Sequence, residues 1–127
     1  MVETPEAPSE TKRSRIFVLD DHPILRQGMA LLVNQQDDLV ICGEAEDALT
    51  ALNNIESSQP DLMIVDISLK GTNGIDFIKR CLDKHPDLPI LVLSMHDESL
   101  YAERALRAGA RGYIMKKEAT ENLLEAI

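Results

Sequence analysis

Five short apolar runs recur along the chain at a nearly regular interval, and this repeat restricts the fold more than any other feature. The runs cover residues 16–19, 39–42, 62–65, 90–93 and 113–115, and their starts lie a little over twenty residues apart. That interval fits consecutive units in which a helix carries the chain from one strand to the next parallel strand. Because most runs are continuously apolar, we expect a sheet that is covered on both faces.

The stretches between the runs have the spacing of amphipathic helices, since apolar residues return every three or four positions. The five apolar faces are Leu25, Met29, Leu32 and Val33; Ala48, Leu52 and Ile55; Ile75, Ile78 and Leu82; Tyr101, Ala105 and Ala108; and Leu123, Leu124 and Ile127. Pro23 suits the start of the first helix, and Gly109 is placed to end the fourth. Strict alternation of five strands and five helices predicts a doubly wound α/β fold with a five-stranded parallel sheet.

The length and the charge of the chain limit the number of domains it can form and the functions it can have. The chain has 127 residues, 44% of them hydrophobic, which suits one compact domain. We expect residues 1–14 to form a flexible tail and residues 15–127 to form the domain, whose last helix is cut short by the end of the sequence. The formal net charge is -9 and the basic residues are scattered, which argues against nucleic-acid binding by this chain alone.

The sequence also indicates where the protein acts. No apolar run approaches the ~20 residues of a membrane-spanning helix, and the amino terminus lacks the pattern of a secretion signal. Cys42 and Cys81 stand far apart in apolar surroundings, without the spacing of a zinc site, and are typical of small core residues in a reducing compartment. We therefore expect a soluble, cytoplasmic protein with no membrane partner.

Polar residues follow four of the five apolar runs directly. They are Asp20 and Asp21, Asp66, Ser94 and Lys116. In doubly wound folds, ligands bind beyond the carboxyl ends of the strands, so these side chains are expected to meet in one small cleft. Three carboxylates there would repel one another unless a cation lay among them, and Mg²⁺ suits an open site of oxygen ligands. A carboxylate nucleophile, a metal, a hydroxyl and an ammonium are the groups that phosphoryl transfer needs.

Several motifs in order give the chain a family resemblance. They are VLDDHPILRQG at 18–28, DLMIVD at 61–66, GIDF at 74–77, VLSMH at 92–96 and GARGYIMKK at 109–117. From about Ile16 to the end, the chain resembles the receiver domain of a two-component response regulator, and more narrowly the LuxR or FixJ type with a helix-turn-helix output. The resemblance implies a flavodoxin-like fold with strand order 2-1-3-4-5.

The resemblance also implies a metal site. Asp20 and Asp21 match the acidic pair of the family, in which at least one residue reaches Mg²⁺ directly. Asp66 matches the phosphoacceptor, which also contacts the metal, and the backbone carbonyl of Ser68 matches a further metal ligand. Mg²⁺ is the cofactor that this set implies.

The remaining family positions are implied in the same way. Ser94 and Lys116 match the hydroxyl and the lysine that accompany the phosphoacceptor, and Tyr113 matches an aromatic residue whose rotamer reports activation. The implied phosphodonor is a phosphohistidine on a sensor histidine kinase. Homodimerisation is typical of the family, and DNA would be bound only through a carboxyl-terminal domain that lies outside this chain.

Two departures and several alternatives accompany this interpretation. Leu69 and Lys70 stand where the family commonly has Met-Pro, and Lys117 stands where proline often follows the lysine. Asp20 and Asp21 alone could simply cap the first helix. His22 and His96 lie near the predicted cleft and could tune it electrostatically, although a surface or loop position is the default for both. Two other functions compete: a phosphohydrolase of the haloacid dehalogenase type, and a receiver that works by docking without phosphate.

Overall fold

The computed structural model describes residues 13–66, 74–94 and 99–115, and within them strands and helices alternate. The strands are β1 (Ser14–Leu19), β2 (Leu39–Ala45), β3 (Leu62–Asp66), β4 (Ile90–Ser94) and β5 (Gly112–Met115). The helices are α1 (Pro23–Asn34), α2 (Ala48–Ser58), α3 (Gly74–Lys84) and α4 (Ser99–Ala108). The predicted fifth helix, and most of the predicted tail, lie outside the described residues.

The five strands form one parallel sheet in the order β2-β1-β3-β4-β5. This arrangement confirms the predicted doubly wound, flavodoxin-like fold. The chain order changes direction on either side of β1, because β2 lies on one side of it and β3 on the other. In such folds the ligand site lies where the strand order reverses, beyond the carboxyl ends of the strands.

Both faces of the sheet are covered, as the continuously apolar strands predict. Phe17 and Leu19 of β1 point into a core shared with α2, α3 and α4, whereas Ile16 and Val18 point into a second core shared with α1. This alternation follows from the strand geometry, in which successive side chains leave opposite faces. The inner strands β1, β3 and β4 therefore carry almost no exposed side chains on the described residues.

Local sequence signals fix several helix ends. Pro23 occupies the first turn of α1. Asp47 caps α2, since its side chain accepts a hydrogen bond from the backbone N–H of Thr50 at 2.8 Å. Gly109 has a φ of 122° and follows the last residue of α4, as its place in the sequence predicts. Among the described residues, no helix is long and apolar enough to cross a bilayer.

The register of the central strands positions the candidate site. Leu19 of β1 lies beside Val65 of β3, so the residues that follow them, Asp20 and Asp66, are adjacent at the carboxyl edge of the sheet. The backbone N–H of Asp20 also donates to the carbonyl of Ala45, at the end of β2, over 3.0 Å. The backbone thus holds the end of β1 from both sides.

Candidate functional site

Two carboxylates lie buried side by side at the carboxyl edge of the sheet. Asp20 directly follows β1 and Asp66 is the last residue of β3, and both have no exposed surface. Asp21, one residue further along the loop, is largely buried, with 15% of its side chain exposed. Because carboxylates placed together with little access to water repel one another, this edge favours a compensating cation.

The cluster contains a fourth group, the imidazole of His22. One potential ligand atom from each of Asp20, Asp21, His22 and Asp66 lies within 4.8 Å of all the others. The Nδ1 atom of His22 is 3.2 Å from Oδ1 of Asp20, 3.1 Å from Oδ1 of Asp21 and 3.9 Å from Oδ2 of Asp66. The three carboxylates that the sequence placed at this edge are therefore brought together, with a histidine among them.

An arginine from α1 fixes the loop that carries this cluster. The Nη1 atom of Arg26 donates to the backbone carbonyl of Asp20 over 2.6 Å, and its Nε atom donates to Oε1 of Glu44 in β2 over 3.1 Å. The Arg26 side chain is mostly buried and its bond to the Asp20 carbonyl is partly shielded from water, whereas Glu44 keeps 38% of its side chain exposed. Arg26 thus ties the loop after β1 to the neighbouring strand.

The acidic pair does not cap the first helix. The residue at the helix N-cap is His22, and no side-chain hydrogen bond caps the helix there. Oδ1 of Asp20 instead accepts the backbone N–H of His22 over 2.8 Å, two residues along, as in an Asx turn. The alternative that Asp20 and Asp21 simply cap α1 is therefore wrong.

The other residues that the sequence singled out lie around this edge or beyond the described residues. Ser94 is the last residue of β4, paired in register with Met115 of β5, and its side chain is not among those described. Tyr113 lies in β5 with 49% of its surface exposed. Ser68 and Lys116 fall outside the described residues, as do Leu69, Lys70 and Lys117.

His22 is the residue that sequence reasoning undervalued, because a surface position was its default interpretation. Its side chain is 46% exposed, yet its ring nitrogen contacts the carboxylates. The available signal was its place between Asp21 and Pro23: a residue before proline is held extended, and an extended residue directly after the acidic pair stays near it. His22 indeed has φ −101° and ψ 103°.

The donor set suits a hard divalent cation. Carboxylate oxygens are the ligands that Mg²⁺ prefers, and Mg²⁺ usually keeps several waters beside one or two carboxylates. Asp20 and Asp66 have no exposed surface, and the Asp21 side chain keeps only 15% of its surface exposed. The His22 side chain, 46% exposed, places the cluster at the border with solvent, where water could complete the coordination of an ion. The residues present at this edge therefore fit a Mg²⁺ ion.

Comparisons with known proteins place the chain in a family. The family described as "Response regulator receiver domain" matches residues 16–127. The oxygen regulatory protein NreC of Staphylococcus carnosus is 35% identical over 114 residues, and the transcriptional regulatory protein DegU of Brevibacillus brevis is 30% identical over 113 residues. These alignments cover 89% of the chain but only 52% of NreC and 48% of DegU, so the chain spans about half the length of these relatives.

Solved structures agree with the sequence relatives. A LuxR-family two-component response regulator from Aurantimonas sp. superposes with a TM-score of 0.83 at 32% identity, over 90% of this chain and 81% of that one. The non-phosphorylated receiver domain of the stress response regulator RcsB from Escherichia coli gives a TM-score of 0.83 at 28% identity, over 90% of this chain and 89% of that one.

The fold, the acidic edge and these matches define a signalling domain of two-component systems. The chain belongs to the response regulator receiver domains. Its relatives NreC, DegU and the LuxR-family regulators support the predicted LuxR-type subgroup. This membership removes the haloacid dehalogenase alternative and leaves the site chemistry of the receiver to be assigned residue by residue.

Proposed function

We propose that this receiver domain accepts a phosphoryl group on Asp66, in a Mg²⁺-dependent reaction, from a phosphohistidine on a sensor histidine kinase. The observation that carries the proposal is the burial of Asp66 at the end of β3, directly beside the buried Asp20. A buried carboxylate whose charge is offset by a cation is held in one place and kept from bulk water, which suits a nucleophile.

Asp20, Asp21 and Asp66 would hold the Mg²⁺ ion, together with the backbone carbonyl of Ser68. When bound, Mg²⁺ neutralises charge that develops on the phosphoryl oxygens during transfer. Arg26 supports this arrangement from behind, because its hydrogen bond to the Asp20 carbonyl holds the loop in place. Such support matters, since small displacements of a reacting group cost large factors in rate.

The transfer itself requires few bonds to change. A carboxylate oxygen of Asp66 attacks phosphorus, a P–O bond forms, and the P–N bond to the donor histidine breaks, so that the imidazole leaves with the electron pair and takes up a proton. Ser94 would donate its hydroxyl to a phosphoryl oxygen, and Lys116 would pair with the new negative charge. The product is an acyl phosphate on Asp66.

The switch follows from the added charge. The acyl phosphate carries roughly two negative charges where the carboxylate carried one, which draws a hydroxyl and an ammonium toward it. Movement of the segments that bear Ser94 and Lys116 would change the surface around Tyr113, which lies half-exposed in β5. We propose that this change acts in the cytoplasm on homodimerisation and on a carboxyl-terminal DNA-binding domain outside this chain.

A mass measurement tests the phosphoacceptor. Incubation of the chain with Mg²⁺ and acetyl phosphate is expected to add the mass of one phosphoryl group, and Asp66→Asn is expected to abolish the addition. Asp83→Asn, a matched change at an exposed aspartate of α3, is expected to leave it intact. No addition to the wild type with any of several small phosphodonors, or equal addition to the Asp66→Asn variant, would contradict the proposal.

A metal titration separates this function from docking without phosphate. Addition of Mg²⁺ is expected to shift the amide resonances of Asp20, Asp21 and Asp66 in a saturable way, because their carboxylates approach the ion. A receiver that works by docking alone needs no such ion, and the absence of a saturable response at these three residues would favour it.

A further inference from the structure

His22 adds an imidazole nitrogen to a cluster that otherwise consists of carboxylates. We propose that this nitrogen is a metal ligand, so that the site takes transition-metal ions of the imidazole-binding class, such as Co²⁺, Ni²⁺ and Zn²⁺, in addition to Mg²⁺. The inference rests on the proposed function for the existence of the metal site, and it adds a residue that determines which ions the site accepts.

The Nδ1 atom of His22 lies within hydrogen-bond distance of two carboxylates, and these distances also suit atoms that share one ion. Two ligand atoms that each lie about 2.1 Å from a metal are about 3.0 Å apart when adjacent and about 4.2 Å apart when opposite. Nδ1 of His22 is 3.2 Å from Asp20 Oδ1 and 3.1 Å from Asp21 Oδ1, close to the adjacent spacing. Its 3.9 Å distance to Asp66 Oδ2 lies between the two cases, and one candidate ligand atom from each of the four residues lies within 4.8 Å of all the others.

The backbone places the ring at this point before any ion arrives. Pro23 keeps His22 extended, with φ −101° and ψ 103°. The backbone N–H of His22 is fixed by Oδ1 of Asp20 at 2.8 Å, so the Cβ atom of His22 leaves the chain next to the carboxylates. A ligand that is held in position loses little conformational entropy when it binds a metal.

Ligand chemistry makes the effect of His22 selective. Mg²⁺ prefers oxygen ligands and gains little from a nitrogen, whereas imidazole suits ions of the Ni²⁺ and Zn²⁺ class, with Co²⁺ next to them in the affinity order. A site of carboxylates alone would also bind these ions more tightly than Mg²⁺, so tight binding by itself decides nothing. The contribution of His22 appears in the ratio of the two affinities and in direct contact between ring and metal.

Cobalt is the probe that reports both quantities. Calorimetric titrations of the wild type and of His22→Asn with Co²⁺ and with Mg²⁺ give the ratio of affinities, and the variant is expected to lower the preference for Co²⁺ about tenfold or more. Proton NMR of the Co²⁺ form is expected to show imidazole resonances shifted far outside the normal range by the paramagnetic ion. These resonances are expected to vanish in His22→Asn.

Two other histidines serve as controls. The chain contains three histidines, His22, His85 and His96. A double variant, His85→Asn with His96→Asn, leaves His22 as the only imidazole. It is expected to keep both the shifted resonances and the wild-type ratio of affinities.

The outcomes separate this inference from the proposed function. The ligand role of His22 would be wrong if His22→Asn kept the wild-type ratio of Co²⁺ to Mg²⁺ affinity, or if the double variant lost the shifted resonances. In either case, Mg²⁺ binding by the wild type would still support the proposed phosphoacceptor site. If the wild type bound neither ion, the metal site and the ligand role would fail together. A lower ratio with loss of the shifted resonances in His22→Asn alone supports the inference.

Discussion

At the scale of single residues, Gln59 carries a backbone conformation that its side chain disfavours. It ends α2 with φ 47° and ψ 62°, in the left-handed region, and its N–H donates to the carbonyl of Ile55 over 2.8 Å. Only glycine adopts this region without steric cost, which for other residues is about 1–2 kcal/mol. Gln35 ends α1 in the ordinary right-handed conformation, with φ −76° and ψ −13°.

This pair of glutamines gives a matched prediction. Gln59→Gly is expected to raise the free energy of unfolding by about 0.5–1 kcal/mol, since relief of strain exceeds the added flexibility of the unfolded chain. Gln35→Gly has no strain to relieve and is expected to lower it by up to about 1 kcal/mol. Urea denaturation measures both, and equal effects of the two substitutions would show that the backbone at Gln59 is not strained.

The site residues show what a sequence can give at this scale. Asp20, Asp21 and Asp66 could be placed at one edge because each follows an apolar run, and parallel strands end on the same side. The contact of His22 with these carboxylates depends on side-chain rotamers and on the hydrogen bond between the Asp20 side chain and the His22 backbone. Neither can be predicted from the periodicity of apolar residues. The two contacts of Arg26 could not be predicted from the sequence either, because its partners Asp20 and Glu44 lie in different parts of the fold.

At the scale of elements, the end of α4 depends on Gly109. The N–H of Gly109 donates to the carbonyl of Leu106 and the N–H of Ala110 donates to that of Ala105, which together form a Schellman motif. The φ of 122° at Gly109 is unfavourable for any residue with a Cβ atom, and such an atom would also collide with Leu82 of α3. The turn from α4 into β5 therefore requires glycine.

Substitution at this turn is expected to be costly. Gly109→Ala should lower the free energy of unfolding by about 2 kcal/mol, through backbone strain and the collision with α3. Gly112→Ala is the control: it lies three residues further on in β5, and the nearest atom to an added Cβ would be Leu91 Cδ1 at an ordinary 3.5 Å. Its effect should stay within about 0.5 kcal/mol in chemical denaturation. A Gly109 variant as stable as the wild type would contradict this account of the turn.

Element boundaries could be predicted only where apolar runs mark them. The predicted run at 39–42 is observed as the longer strand Leu39–Ala45, because Gly43, Glu44 and Ala45 continue the pairing with β1 without being strongly apolar. The register of β1 and β2 also shifts between Ile16 and Phe17. Such a shift has no signal in hydrophobic periodicity, which reports the face of a residue and not its partner.

At the scale of the whole molecule, a thiol in the core couples stability to alkaline pH. Cys81 has no exposed surface and lies in the core between the sheet and α3, and burial raises its pKa to about 11. Cys42 is only partly buried, and burial also raises its pKa. A thiol in the unfolded chain ionises near about 8.5, so the unfolded state loses its proton first as pH rises.

The sign of the effect follows from this difference. The contribution of the buried Cys81 thiol to the free energy of unfolding is fully present below about pH 8.5. This contribution is lost as pH rises toward the folded pKa of about 11. Between about pH 8.5 and 10.5 the wild type is expected to lose on the order of 1–2 kcal/mol more unfolding free energy than Cys81→Ala, in which the titrating group is absent. Cys42→Ala, which keeps Cys81, should retain most of this loss. Parallel pH profiles for the wild type and Cys81→Ala would contradict the burial of the thiol.

The overall topology was the most predictable property, because it depends on repeated features. Five apolar runs at a regular interval sufficed for a parallel α/β sheet, and right-handed crossovers leave few ways to arrange it. The resemblance to receiver domains then predicts the strand order, which the structure confirms. This order places the acidic edge at the point where the strand order reverses. The register of β1 and β3 brings Asp66 beside Asp20 at the carboxyl edge of the sheet.

The most direct test of the central claim is to locate the phosphoryl group. After incubation with acetyl phosphate and Mg²⁺, borohydride reduction converts an acyl phosphate of aspartate to homoserine, and peptide mass spectrometry identifies the converted residue. Mg²⁺-dependent phosphorylation of Asp66 predicts homoserine at position 66 alone, and none when Mg²⁺ is removed by a chelator. Homoserine at another aspartate, or conversion that is independent of Mg²⁺, would contradict it.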